Sequence, residues 1–579
     1  MRASMKTDRA GPGLTTGVVV GLLLTAPLLA LSYLGSRVAA LPFIPFDVFE
    51  WVAHRLPGAV VTRGIEALVA VIAATNLGST DVAAKYLEQL MAIAGLLAAG
   101  AIAAGVVFVA RRRRGVSAGR GGILLGMVAG MLTVLVSRSA GADRVLSSGH
   151  TLWILALWAG WGAALDWANR RLSPAAASPR APIEPAIPPQ ERAGSEISGP
   201  GVRAIEGPQP APGEGPRPAP DTVERLDRRR FLIRLGGAAA AITVSGAAVG
   251  MFAGPRPDRP VSTTRRWSAD HALPNAGAAL QPAPGTRPEF TPLDEHYRID
   301  INLLPPVINE ETWALEVRGL VHSPTRLTLA DLRNNFRPMH QFVTLACISN
   351  EIGGDLIGTT RWTGVSMRRL LPHLRLLPEA THLKIVSADR FYEVVSLETI
   401  NADERVMLTY AWDGVPLPTR HGFPLRIYIP NLYGMKQPKW ITSIIALDSW
   451  EAGYWVVRGW DREARMEATA VIDTVALDSV TRTADGRTLV PVGGIAHAGD
   501  RSISKVEVRV DDGEWVEAQL RTPLSQTTWV LWRYEWPFAE GSHRFTVRCT
   551  DGEGRPQVTE PSPPHPDGAT GLHNLRAGR

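Results

Sequence analysis

The chain has 579 residues, a formal net charge of +6 and a pI near 9.5. That length is too great for one hydrophobic core and calls for several domains, and two cysteines exclude both a disulfide framework and a multi-cysteine zinc site. The mean hydropathy of +0.01 averages two unlike parts: one dominated by Ala, Leu, Val and Gly up to about Asn169, and one of ordinary soluble composition from about Thr286.

From the N-terminus, four stretches are long enough, or nearly so, to span about 30 Å of hydrocarbon: Gly11 to Ser36, Gln89 to Ala110, Gly121 to Ser137 and Val145 to Leu165. The basic excess lies beside apolar segments, at Arg111 to Arg114, Arg170-Arg171 and Arg228 to Arg230. That placement follows the positive-inside rule rather than a nucleic-acid groove, so no nucleic-acid partner is expected. A fifth apolar stretch, Gly58 to Leu77, carries Arg63 and Glu66. If it spans, the Arg111 and Arg170 clusters fall outside; if it lies at the interface, both fall inside with Arg2, Lys6 and Arg9. We therefore expect a transmembrane region over residues 1–172, with Gly58 to Leu77 outside at the lipid surface. A haem within the bilayer needs facing histidines. His150 at a span edge and His54 outside the spans make no such pair, so this region is expected to anchor the chain or dock a partner.

Residues 173–226 are rich in Pro, Ala, Glu and Gly without apolar periodicity and read as a disordered linker. Residues 227–254 begin with Arg228-Arg229 and Phe231-Leu232, then run apolar to Ala253. This order resembles a twin-arginine export signal; the plainer reading is a membrane helix with a basic flank. By parity it crosses outward and stays as an anchor, which places everything beyond Gly254 outside the cytoplasm. A further linker is expected over 255–285.

Residues 286–464 read as a mixed α+β domain of short strands, loops and a few helices. Trp313, Leu315 and Val317 alternate as in a strand, Thr328 is placed to cap a helix over Leu329 to Asn334, and His340 to Ala346 forms a strand delivering Cys347. A lone cysteine followed by Asn350 and Gly353-Gly354 leaves three readings open. It is a nucleophile, the protein ligand of a metal carried by a cofactor, or a buried inert thiol. The nucleophile reading needs a base; His340 is the nearest histidine in sequence but stands seven positions upstream on the approaching strand.

Several ordered motifs then narrow the choice: HYRID at His296 to Asp300, CISNEIGG from Cys347, IGTTRWTGV over Ile357 to Val365, SADRFYEVVSL from Ser387, PLPTRHGFPLRIYIPNLYG around His421, Pro438-Lys439-Trp440, and YWVVRGW from Tyr454. Together they resemble the sulfite oxidase superfamily of molybdopterin-dependent oxidoreductases. The resemblance implies that Cys347 gives its thiolate to molybdenum, a soft-ligand arrangement, beside the two sulfurs of the pterin. It implies that His421 and Arg426 hold the pterin and its phosphate, that Lys439 joins them, that Gln437 and Pro438 offer backbone contacts, and that Tyr297 touches the cofactor. Asn350 would support the cysteine loop. Where sulfite oxidases carry two arginines soon after the cysteine, this chain has Glu351 and Ile352; Phe391 stands where they have a tyrosine, with Tyr392 on the opposite strand face. Arg298, Arg361 and Arg420 are the arginines available in their place, and Tyr392 and Arg361 are the expected substrate-positioning residues. The pattern is similar to the exported branch of the superfamily. It implies oxygen-atom transfer on a small oxyanion, sulfoxide or N-oxide, with a cytochrome or quinone-linked carrier taking or giving electrons. The competing expectation is a membrane-anchored binding protein without catalysis.

Residues 465–560 show strands at short spacing, with Val506, Val508 and Val510 alternating before a turn at Asp512-Gly513. Phe545, Val547 and Cys549 share a face, so Cys549 is expected to be structural. An immunoglobulin-like sandwich is expected here, of the kind that mediates homodimers in the resembling family, followed by a tail over 561–579. The whole chain is thus expected to be multidomain: a helical transmembrane bundle, an α+β sulfite-oxidase-like molybdopterin domain, and an all-β sandwich.

Overall fold

The computed structural model describes residues 12–39, 41–75, 78–114, 121–140, 148–173, 220–253 and 273–579. Most of the expected linker over 173–226, and much of that over 255–285, lies outside the described residues. Seven helices come first: α1 (Leu14–Ala39), α2 (Ile44–Arg55), α3 (Gly58–Thr75), α4 (Thr80–Arg114), α5 (Gly121–Ala140), α6 (Ser148–Leu172) and α7 (Pro220–Ala253). Four are long and apolar enough to cross a membrane, over Leu14–Ala39, Thr80–Arg113, Gly121–Ser139 and Asp227–Phe252. Three of these coincide with expected spans, and the last is the segment after the paired arginines. The fourth expected span, Val145 to Leu165, lies mainly in α6, which is helical but outside that set; its tryptophans, glycines and His150 dilute the apolar run. Helix α7 starts at Pro220, inside the expected linker.

The chain divides into two compact units. One comprises Met1–Pro45, Ile93–Leu135 and Leu146–Gly254; the other comprises Phe46–Ala92, Val136–Val145 and Pro255–Arg579. In the first, small residues let helices approach closely. A Cβ on Gly17 would fall 2.8 Å from the Gly105 Cα, and one on Gly21 would fall 2.6 Å from the Ala101 Cα. Asp166 of α6 is fully buried and accepts from the Gly122 and Ile123 N–H groups at 2.8 and 3.0 Å while pairing with Arg111. It thereby satisfies free donors in the first turn of α5.

In the second unit α2, α3 and the start of α4 group with the strands that follow α7. There follow β1 (Leu315–Gly319), β2 (Thr325–Leu327), α8 (Leu329–Asn334), β3 (Met339–Ala346), β4 (Ile357–Ser366), α9 (Met367–Leu374), β5 (His382–Ser387), β6 (Tyr392–Ser396), α10 (Leu397–Ala402), β7 (Met407–Trp412), β8 (Val415–Pro416), β9 (Arg426–Tyr428) and β10 (Ile441–Leu447). Thr328 caps α8 through a reciprocal pair with Asp331. One sheet has the order β2-β1-β10-β5-β6, with β1 and β10 parallel. The other has the order β3-β4-β7-β8, with β9 also on β7. Alternation places Val365, Leu408, Ile427 and Ile444 in a common core.

The C-terminal strands are β11 (Thr469–Val475), β12 (Thr481–Arg482), β13 (Thr488–His497), β14 (Ile503–Val510), β15 (Val516–Glu517), β16 (Gln519–Leu520), β17 (Val530–Pro537), β18 (Ser542–Asp551) and β19 (His573–Gly578). They form two antiparallel sheets, β11-β13-β17-β16 and β15-β14-β18-β19, whose inner residues share one core. Cys549 is buried in that core, as its alternation requires. The segment expected as a tail departs from the sequence reading. Residues 573–578 are β19, paired along β18 from Ser542↔Gly578 to Val547↔His573, so the final strand covers an otherwise open sheet edge.

Gly364 sits at a register shift between β4 and β7, and a Cβ there would lie 2.0 Å from the Leu408 carbonyl oxygen. Gly364→Ala is expected to cost about 1–3 kcal/mol, the usual range for overpacking, and to lower the thermal midpoint of the purified chain. An unchanged midpoint would show that the β4–β7 register is not as described.

Candidate active site

The site begins where β3 ends. Cys347 N–H donates to the Leu356 carbonyl at 2.9 Å, closing the loop that carries the thiol. Asn350 locks that loop: its Oδ1 accepts from Leu356 N–H at 2.9 Å, and its own N–H donates to the Cys347 carbonyl at 3.1 Å. A Cβ on Gly354 would fall 2.5 Å from Asn350 Oδ1, so glycine is required for this closure. Cys347 is 8% exposed, and its thiol lies 3.0 Å from the Ser349 hydroxyl. Burial pushes its pKa up, against the Ser349 hydrogen bond. It needs a nearby positive charge, such as a metal, to become a thiolate.

The thiol lies on the wall of a cavity of about 720 Å³. His421, Arg426, Gln437 and Lys439 come to the same wall from the β7–β9 region and the loop before β10. Register explains the placement of Arg426. Trp362 of β4 pairs across from Trp412 of β7, and Arg426 of β9 pairs with Thr409 of β7. The guanidinium therefore lies over both indoles, 4.5 and 4.9 Å from their ring centres. Its Nη1 donates to the His421 carbonyl at 3.1 Å. Burial lowers Arg426 to about 9 and His421 well below its ordinary value.

Lys439 Nζ donates to the Ile299 carbonyl at 2.9 Å and lies 3.4 Å from Asp300. Burial pushes Lys439 down, against the pull of Asp300. Asp300 is itself shared by Arg298 at 2.6 Å and Lys85 at 3.5 Å. Burial raises its carboxyl, but Lys439, Lys85 and Arg298 outweigh burial and hold it below the usual carboxylate range. Tyr297 lines the cavity and is pushed up by burial.

The cavity also gathers residues that sequence reasoning did not select. His296 lies 4.6 Å from the Trp412 ring centre and 5.6 Å from that of His421. Burial lowers it to about 3, so its ring is neutral. It stands beside Tyr297 in the HYRID motif, which was the available signal. Asp389, Phe391, Tyr454, Trp455 and Trp460 form another part of the wall, and Glu50, Leu68 and Lys85 come from α2, α3 and α4. Those last three had no local signal.

Four expected residues stand elsewhere. Asn350 faces a separate crevice of about 30 Å³, which it shares with Glu351, Ile352 and His497. Pro438 is off the cavity wall; its carbonyl accepts from Ile427 N–H at 3.1 Å. Arg361 and Tyr392, expected to position substrate, are not on the wall. Arg361 lies in β4 opposite Phe342, and its chain neighbour Trp362 takes the inward position. Tyr392 opens β6 beneath Lys384, 4.7 Å from its ammonium, while Phe391 turns inward. Strand alternation sends each pair to opposite faces. Of the three replacement arginines, Arg298 is paired with Asp300, and Arg420 donates to the Leu293 carbonyl at 3.0 Å. Among the described residues, Arg426 is the one arginine on the cavity wall.

These residues fit a phosphate-bearing pterin. His296 Nε2, His421 Nε2, Arg426 Nε and Gln437 Oε1 are buried without a hydrogen-bond partner among the described residues, and each belongs to a side chain on the cavity wall. Buried polar atoms are ordinarily satisfied, and this cluster has the donors and acceptors that such a ligand would meet. A soft thiol stands at one side, with buried cations nearby for the phosphate.

Comparison with known proteins agrees. The family model described as oxidoreductase molybdopterin binding domain matches residues 302–455. Sulfite oxidase of Arabidopsis thaliana is 25% identical over 275 residues, 39% of this chain and 69% of that protein. The nitrate reductase [NAD(P)H] of Hordeum vulgare is 26% identical over 321 residues, 45% of this chain but 36% of its own length. Human mitochondrial sulfite oxidase is 25% identical over 292 residues, 43% of this chain and 53% of that protein. Cavity and comparisons together define a molybdenum-cofactor oxidoreductase. Its molybdopterin-binding region is similar to the sulfite oxidases and nitrate reductases.

Asp389 is pushed up to about 7, chiefly by burial and further by Asp300. In the cofactor-free protein its folded form keeps a proton that the unfolded chain loses near pH 4. The unfolded state then binds fewer protons, so stability falls as pH rises from about 4 to 7 and levels above that. Asp389→Asn is expected to flatten this fall in thermal midpoint; an unaltered pH profile would remove Asp389 from the account.

Proposed function

We propose that this protein is a membrane-anchored, extracytoplasmic oxidoreductase that transfers an oxygen atom on a small sulfur- or nitrogen-containing substrate. The observation that carries the reading is Cys347 on one cavity wall with the unpartnered polar atoms of His296, His421, Arg426 and Gln437. The cofactor supplies the two-electron change and the exchange of oxygen. Cys347 gives it a thiolate, and Arg426 and Lys439 take the phosphate. His421, Gln437 and Tyr297 orient the ring system. Phe391, Tyr454, Trp455 and Trp460 exclude water beside it, and Asp389 is a carboxyl able to hold or release a proton near neutral pH. An external carrier, cytochrome or quinone-linked, exchanges the electrons.

A cavity with one arginine among the described residues favours a neutral sulfoxide-like or N-oxide substrate over the sulfite dianion, because convergent guanidinium forks are what bind such anions tightly. The apolar helices support anchoring in a bilayer. The paired arginines before α7 support export, with the catalytic region on the outer side. The two C-terminal sheets support an immunoglobulin-like sandwich suited to forming a homodimer.

Cys347→Ser is expected to bring activity to background and to change the metal's absorption spectrum while the protein remains folded. Full activity in that variant would overturn the assignment. Topology has its own test. A cysteine at Arg113 should react with membrane-impermeant reagent only in inverted vesicles or opened cells, and labelling of intact cells would reverse the proposed orientation.

A further inference from the structure

The start of the second unit, Phe46–Ala92, lies outside the matched domain yet is bound to it at several points. Leu303 N–H donates to Glu50 of α2 at 2.9 Å, and Arg298 N–H donates to Asp81 of α4 at 2.9 Å. Thr80 N–H donates to Asp355, beside the cysteine loop, at 2.8 Å. Lys85 Nζ donates to the Asp300 and Asn302 carbonyls at 2.8 and 3.1 Å and pairs with Glu88 at 2.9 Å. A Cβ on Gly58 would fall 2.7 Å from the Arg458 Cα, so α3 packs directly on the turn after Trp455. Apart from the bond of Thr80 and the Lys85–Glu88 pair within α4, these bonds grip the segment running from Arg298 to Leu303, which also supplies Lys439 with the Ile299 carbonyl and Asp300.

We propose that α2, α3 and the start of α4 are the closing wall of the cofactor cavity, and that Lys85 is a positioning residue that keeps Lys439 available to the cofactor's phosphate. Asp300 is one buried negative charge divided among Lys85, Arg298 and Lys439. With Lys85 present, part of that charge is met from α4, and Lys439 retains attraction for an anion in the cavity. Without it, Asp300 falls more fully on Lys439 and competes with the phosphate. Coulomb interactions at this separation and burial are large enough to matter. This inference rests on the proposed cofactor site but adds to it a residue outside the matched domain.

The test uses full-length protein purified in detergent from a cofactor-producing host. Molybdenum per chain and the fluorescence of released, oxidised pterin are followed over time. Lys85→Gln keeps a hydrogen-bond donor but removes the charge, and is expected to release pterin about tenfold faster, the lower end for loss of a partner that orients a ligand. Lys85→Arg is expected to retain it. Combining Lys85→Gln with Asp300→Asn removes the competing charge and is expected to recover much of the retention, which a purely packing role for Lys85 would not give. Retention by Lys85→Gln equal to the parent, or a double variant releasing as fast as Lys85→Gln, overturns the proposal. Parent protein that carries neither molybdenum nor pterin fails a different statement, the cofactor site itself.

Discussion

Positive charge buried without enough protein anion is the constraint on which this molecule turns. Arg426 is 3% exposed on its tryptophan floor, and His421, at 2%, lies beside it. A buried cation is costly unless paired. Asp300 meets part of the demand from Lys439, but among the described residues no carboxylate pairs with Arg426. Its guanidinium has two indole faces, one carbonyl acceptor and an unpartnered Nε. On the proposed function a phosphate would complete that account, and the sheet that carries β7, β4 and β9 holds the cation at the cavity wall.

This electrostatic design also shapes the reaction. Both histidines on the wall are neutral, so they offer one donor and one acceptor each and add no charge. On the proposed function the phosphate end would take Arg426 and Lys439, leaving little cationic surface for substrate. Glu351 and Ile352, which stand where sulfite oxidases have arginines, turn onto a separate crevice. On that proposal substrate binding would lean on shape and on the aromatic wall of Phe391, Tyr454 and Trp460.

The sequence was most legible where chemistry and local pattern coincide. Cys347 follows a strand whose alternation is plain, and His421, Arg426, Lys439 and Tyr297 sit in motifs that the fold brings to one cavity. Where only strand parity was available, the choice went astray. Arg361 and Tyr392 are each adjacent to the residue that turns inward, and a shift of one position exchanges the two faces. The register that decides this is set by pairing across strands, with Phe342 for Arg361 and with Val386 for Tyr392. The last strand was hidden for a similar reason: β19 alternates weakly and exists because β18 offers it an edge.

The helical wall was the least legible feature, and its physical cause is separation along the chain. The bonds from Asp81 to Arg298 and from Glu50 to Leu303 join residues 217 and 253 positions apart. No local propensity can encode such a pairing, and closing so long a loop is favoured only after both ends are folded. On the proposed topology the wall precedes α7 and the molybdopterin-binding region follows it. A region exported already folded would meet its wall only on the outer side. The contacts around Lys85 would then form last, over a cofactor already in place. The short polar contacts on the Arg298 to Leu303 segment suit such a late docking, because they need backbone already fixed in position and little rearrangement of the core.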